Sequence, residues 1–292
     1  MIGVLEQLIN GLRTGSIYAL IALGYTMVYG IAKMINFAHG DIIMVGGYAL
    51  YVAVALFNLP IPLAVIFAIA VCSVSGIIIE KIAYKPLRKA PPLAVLITAI
   101  GVSYFLQSIT LLIFNATPIP VESIINVPAV RIGSLSISGI TIVTLSVTTV
   151  AMIILTLFIN KTKMGSAMKA VSEDKGAAEL MGINVNKTIS YTFAIGSALA
   201  AVAGILYICQ YKTVQPTLGA LPGIKAFVAA VLGGIGSIPG AMLGGILLGI
   251  IESITKGFIS TALSDAIVFG VLVVVLLVKP SGLLGKQKIE KV

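Results

Sequence analysis

Apolar runs of close to twenty residues alternate with short polar breaks along the whole chain. They occupy roughly residues 11–31, 41–57, 61–83, 93–114, 139–159, 189–209, 240–256 and 263–279, and a shorter piece covers about 224–235. A helix that crosses a bilayer needs about 20 mostly apolar residues. The pattern therefore predicts an all-α polytopic membrane protein. It has about eight full transmembrane helices, one short or discontinuous crossing, and a single transmembrane domain over 1–292. The opening MIGVLEQLINGLRTGSIYALIAL lacks a basic leader before its apolar run, so it reads as a first span and not as a cleaved signal.

Two breaks are long. Segment 115–138 contains AVRIGSLSIS, whose alternation about Gly133-Ser134 predicts a small hairpin with glycine at the first turn position. Segment 160–188 is rich in lysine.

Composition agrees with the bilayer as solvent: 59% of residues are hydrophobic and 10% charged, against roughly 25% charged in an average soluble domain. The net charge is +9, and thirteen of the nineteen basic residues fall in three stretches, 81–89, 161–187 and 279–291. These punctuate apolar runs and mark the cytoplasmic side. Without a sizeable polar domain, no nucleic-acid partner is expected. Residues 84–92, 160–188 and 280–292 are thus placed inside, and 115–138 outside. The chain must then cross an even number of times between 188 and 279, so the short piece near 224–235 also crosses. The N-terminus is placed outside and the C-terminus in the cytoplasm. Cys72 and Cys209 lie in apolar runs and read as core residues. No CxxC or Cys/His cluster suggests a metal.

Polar and glycine-rich blocks interrupt two places where plain spans are expected. Asn36, His39, Gly40 and Asp41 fall within six residues, and His39 is the only histidine. They would break a helix, and non-helical backbone in a bilayer is tolerated only inside protein or beside a water-filled cavity. The second block, 223–245, holds Gly233, Gly234, Gly236, Ser237 and Pro239. Pro239 should end one helix or start the next. Gly236, Gly240 and Gly244 are spaced to share a helix face and let backbones approach closely. Arg13 and Glu80 sit near span ends and are expected to snorkel. Glu252, four residues before Lys256, is expected to form a helix-surface ion pair. No span carries a row of acids suited to a proton relay.

In the basic loop, Ser172 is a candidate N-cap, with Glu173 and Asp174 in the first turn and Gly182 as the stop. A helix of about nine residues is too short to persist alone. Its apolar side, Ala177, Ala178 and Met181, must pack either on the chain's own spans or in a groove of a cytoplasmic partner.

Three blocks, MINFAHGDIIMVGGY (34–48), MKAVSEDKGAAELMGINVNKTISYTFAIGSALAAVAG (168–204) and GIKAFVAAVLGGIGSIPGAMLGGILLGIIE (223–252), resemble the permease subunits of branched-chain amino-acid ABC importers. The resemblance runs over nearly the whole chain. It implies that residues 172–183 are a coupling helix seated in an ATPase subunit, with Glu173, Asp174, Ala177, Ala178 and Gly182 at its centre. It places the first block beside the translocation path, so Asn36, Phe37, His39 and Gly40 become candidates for the pathway; the helix break within 223–245, which can present backbone dipoles to a solute, adds Gly233, Gly234, Gly236 and Ser237. It implies two cytoplasmic ATPases that use ATP and Mg, a second related permease, an external solute-binding protein, a small-molecule substrate and a bacterial or archaeal inner membrane. The chain itself lacks a phosphate-binding loop: Gly282-Leu-Leu-Gly-Lys286-Gln287 has the wrong spacing and no hydroxyl. No cofactor in this chain, and no enzymatic activity of its own, is therefore expected. Two alternatives keep the spans and change the function. One is the same architecture carrying urea, short amides or other amino acids. The other is a secondary transporter working alone.

Overall fold

The computed structural model describes residues 2–122, 124, 125, 127–133 and 135–285. Ser134 of the expected hairpin turn, the tail cations Lys286, Lys288 and Lys291, and Gln287 lie outside them.

Among the described residues the regular structure is almost all helix. The helices are α1 (Ile2–Ala32), α2 (His39–Tyr51), α3 (Ile61–Ile79), α4 (Pro92–Phe114), α5 (Gly139–Lys161), α6 (Lys163–Glu173), α7 (Lys175–Leu180), α8 (Val185–Tyr211), α9 (Ala220–Gly233), α10 (Ile238–Phe258) and α11 (Ser264–Val278). Both α2 and α3 end in a widened turn, where Phe57 N bonds to Val52 O at 3.0 Å and Lys85 N to Glu80 O at 2.7 Å.

Seven of these helices, α2 and α3 taken with their widened turns, are long and apolar enough to cross a membrane. The eighth expected full span, 263–279, proves shorter. Helix α11 has 15 residues and α9 has 14, so at 1.5 Å per residue each covers only about two thirds or three quarters of a ~30 Å hydrocarbon core.

Helix starts follow local chemistry. Prolines stand in the first turns of α3, α4 and α10, where the missing N–H costs nothing. Ser237 caps α10 by accepting from Gly240 N at 3.2 Å, and Asn184 caps α8 by accepting from Lys187 N at 3.0 Å.

Helix α1 is the centre of the bundle and α10 lies closest to it. An added Cβ on Gly249 would stand 2.2 Å from Gly15 Cα, and one on Gly245 would stand 2.5 Å from Ala19 Cα. Another glycine face of α10 meets α9, with Gly240 against Gly233 and Gly244 against Ala229. Gly236 does not share that face as its spacing suggested. It precedes α10, in the α9–α10 turn, with φ +93°. Helices α3, α4 and α5 stand outside, with much of their apolar surface open to lipid or protein.

The expected hairpin forms. Strands β2 (Val130–Ile132) and β3 (Leu135–Ile137) pair antiparallel with Ile132 opposite Leu135, and Gly133 has φ +62°. A second pairing was not legible: β1 (Ile119–Pro120) lies antiparallel to β4 (Thr213–Val214). It fastens the loop after α4 to the chain leaving α8.

The acidic residues expected near surfaces are buried. Glu80 is inaccessible, paired with Arg88 and bonded by Ser190 Oγ at 2.6 Å. Glu252 is also buried. It accepts from Lys225 (2.8 Å), Lys256 (2.6 Å) and Tyr18 (2.8 Å), and Lys225 also reaches Asp265 at 2.6 Å. The pair with Lys256 is present as expected. The partners on α1, α9 and α11 are distant in sequence and were invisible to a helix-surface reading. Arg13 lies 3.5 Å from Thr141 Oγ1, bridging α1 and α5. Cys72 and Cys209 are free and buried.

Candidate functional site

The break between α1 and α2 lies deep in the bundle. Helix α1 ends at Ala32, yet His39 at the start of α2 packs on Gly24, where an added Cβ would be 2.2 Å from His39 Nε2. Gly24 is eight residues inside the end of α1, about 12 Å at the helical rise. Residues 33–38 therefore fold back along α1, and α2 begins within the thickness of the bundle.

Helix α9 begins against the same point. An added Cβ on Gly219 would stand 1.9 Å from Gly40 O, and one on Gly223 would stand 2.7 Å from Gly40 Cα. Only residues without side chains let the two backbones meet this closely. Two helix N-termini thus converge inside the bundle, an arrangement that turns backbone dipoles toward a polar solute.

A cavity of about 500 Å³ opens beside this junction. Tyr25, Phe37, Gly40 and Asp41 form one wall, Ala220, Gly223 and Ile224 of α9 another, and α4 closes it with Leu96, Ile100, Ser103, Tyr104 and Gln107. The size is that of a small-molecule site, and mostly apolar walls with a few polar groups are usual there. Gln107 Nε2 donates to Asp41 Oδ1 at 2.8 Å and to Ser103 Oγ at 3.3 Å.

The expected pathway residues divide. Phe37 and Gly40 line the cavity. Asn36 and His39 do not. Asn36 Oδ1 accepts from the Tyr84 hydroxyl at 2.8 Å, and the His39 ring stands edge-on to Tyr25 at 4.7 Å. Both are buried and hold the re-entrant turn in place. Gly233, Gly234, Gly236 and Ser237 lie at the other end of α9. There Gly233 meets Gly240, Gly234 meets Gly285, and Ser237 caps α10. Tyr25, Asp41, Ser103 and Gln107 were not singled out for the pathway. Asp41 carried a signal, an acid inside an apolar stretch. Ser103 and Gln107 carried one only as polar positions four apart on α4.

The loop after α5 holds two helices in place of the single expected one. Thr162 caps α6, accepting from Gly165 N at 3.0 Å, and Ser172 falls in the last turn of α6. Asp174 is the N-cap of α7, accepting from Gly176 N at 2.7 Å and Ala177 N at 3.0 Å. Gly182 follows α7 with φ +81°, as a C-terminal stop requires. The expected face Ala177–Ala178–Met181 is split. Ala178 is buried, whereas Ala177 is exposed and Leu180 and Met181 are 90% and 82% exposed. Glu173 is exposed at the end of α6.

Lys175 ties this loop to the re-entrant segment, since its Nζ donates to Ala32 O, the last residue of α1, at 2.9 Å. A cation suits a helix C-terminus. Burial, with Arg88 and Lys33 nearby, pulls the Lys175 ammonium below its usual range. The three cations share a second cavity of about 330 Å³.

Residues 7–276 match the family model described as branched-chain amino acid transport system / permease component. The chain belongs to this permease family. Its relatives cover it almost end to end. It is 46% identical to the high-affinity branched-chain amino acid transport system permease protein BraD of Pseudomonas aeruginosa, over 99% of this chain and 98% of the relative. Identity to the corresponding protein LivH of Escherichia coli K12 is 44%, over 99% and 97%. A probable branched-chain amino acid transport permease protein LivH of Methanocaldococcus jannaschii is 30% identical over 92% and 89%. No solved structure matches the chain.

Proposed function

We propose that this permease carries branched-chain amino acids through a multi-pass path beside the α2–α9 junction, as a subunit of an ATP-driven importer. The observation that carries the reading is end-to-end similarity to branched-chain amino-acid permeases in a chain with a half-open cavity beside its α2–α9 junction. Apolar walls from Phe37, Leu96, Ile100 and Ile224 suit an aliphatic side chain. The energy comes from two cytoplasmic ATPase subunits using ATP and Mg. A second related permease closes the open side of the path, and an external solute-binding protein delivers the substrate. The N-terminus faces outside and the C-terminus the cytoplasm. The β1–β4 pairing supports this order, because it gathers at one end two segments that the crossing count puts outside.

Coupling runs through α7. Its exposed Leu180 and Met181 form an apolar tip that a groove on an ATPase would cover, with Glu173 and Asp174 beside it. Motion of α7 reaches the cavity through Lys175 and Ala32, because the re-entrant segment starts there. ATP acts by binding the two conformations of the ATPases unequally, and α7 passes that bias to the spans.

The test is uptake in proteoliposomes holding the full complex and its binding protein. Leucine and valine should enter with ATP, and urea and acetamide should not compete. Leu180→Glu should insert and fold normally, since the side chain touches solvent, yet reduce uptake at least about tenfold, the effect of about 1.4 kcal/mol. Wild-type uptake by Leu180→Glu would reject the coupling role.

A further inference from the structure

Among the described residues three carboxylates are buried within the bundle: Asp41, Glu80 and Glu252. Two have their charge matched. Glu80 pairs with Arg88, and Glu252 with Lys225 and Lys256. Asp41 makes no ion pair among the described residues. Its side-chain partners are the neutral Gln107 and Ser103, and it faces the cavity. A carboxylate at this depth without a cation is costly, and ionisable groups inside membranes face pathways or partners for that reason.

The rest of the wall has the complementary chemistry. The cavity is otherwise mostly apolar, and among the described residues no lysine or arginine lines it. Gln107 is engaged twice, by Asp41 and by Ser103, which fixes the amide and holds the carboxylate Oδ1 toward α4. A cation entering the cavity would therefore meet a pre-aimed acceptor in a low-dielectric site, where a charge-assisted hydrogen bond is strongest.

We propose that Asp41 receives the ammonium group of the transported amino acid, with Gln107 and Ser103 as positioning residues that orient its carboxylate. The proposal rests on the permease reading above and names the group that recognises the substrate's charge. The ammonium donates to the carboxylate, and the aliphatic side chain lies toward Leu96, Ile100 and Ile224. The substrate carboxylate points to the converging N-termini of α2 and α9. Asp41 therefore selects α-amino acids over uncharged amides and over acids of the same shape that lack the amine.

The assembled complex in proteoliposomes tests this with two measurements. Asp41→Asn keeps an acceptor for Gln107 and removes only the charge. Leucine uptake should fall about ten- to a hundredfold, the worth of one charge-assisted hydrogen bond, with ATPase activity and assembly retained. Asp41→Glu should recover part of the loss. Absence of leucine uptake by the wild-type complex would defeat the permease reading itself. Normal wild-type uptake with undiminished uptake by Asp41→Asn would overturn only the present inference. Should Asp41→Asn fail to assemble, Ile100→Cys with Asp41 intact decides the matter. Ile100 lines the cavity, and the native Cys72 and Cys209 are buried. Millimolar leucine should slow labelling of the new thiol, and 4-methylpentanoate, the same skeleton without the amine, should not. Equal protection by both, or by neither, would overturn the proposal.

Discussion

Gly249→Ala probes the contact on which the bundle is built. A methyl group there would lie 2.2 Å from Cα and N of Gly15 and 2.6 Å from Gly11 O, all backbone atoms that cannot rotate away. Ordinary contact begins at 3.4 Å, so α1 and α10 must separate by more than an ångström along a seam that also holds Gly11, Gly15, Ala19 and Gly245. Forcing one extra carbon into a packed interior costs about 1–3 kcal/mol, and here the upper end applies because both partners are main chain. That loss corresponds to a fall of about 5 °C in the melting midpoint of a chain this long. Gly101→Ala is the matched control. It adds the same methyl within α4, where nothing lies within 4 Å, and replacing a mid-helix glycine gains up to about 1 kcal/mol. Thermal denaturation of both purified variants in one detergent makes the comparison. Equal midpoints for the two would refute the view that α1 and α10 meet backbone to backbone.

Glu252→Gln should destabilise the chain by about 1–3 kcal/mol, because Lys225 and Lys256 keep an acceptor but lose a charge-assisted bond and lean on Asp265 alone. The double replacement Lys225→Met with Glu252→Leu should recover much of that loss in the same melting assay. Asp174→Ala removes the α7 cap and should cost about 1 kcal/mol locally. Hydrogen exchange should quicken at residues 176–181 and leave α8 unchanged, and leucine uptake by the complex should fall with it.

Part of this protein was legible from its residues alone. Each long span was found to within about four residues at either end, except that α1 begins nine residues before the expected start at 11, and the hairpin at Gly133 was found too. The breaks expected within 34–41 and 223–245 fall at 33–38 and 234–237, with His39, Gly40 and Asp41 already in the first turn of α2; Pro239 at the start of α10 and Gly182 as a stop were readable. These are local matters: a bilayer demands about twenty apolar residues, and turns and caps are decided by neighbours in sequence. Ser172 was mistaken for a cap because Asp174, two residues on, offered a better acceptor to the same turn. The apolar face of α7 was misread because a six-residue helix has no long stripe to read. Ala178 turned inward, and Leu180 became the exposed tip.

What lay beyond the sequence was the facing of each helix. In soluble proteins a polar side marks the exterior, but lipid is as apolar as a core, so helices here show little contrast between faces. Nothing local could tell that Asn36 and His39 brace a turn while Asp41, in the same block, looks into a cavity. Likewise Glu252 finds Lys225 only because α9 and α10 pack through glycines. Hydropathy placed the segments in the membrane. Close approach of backbones decided which polar groups meet there.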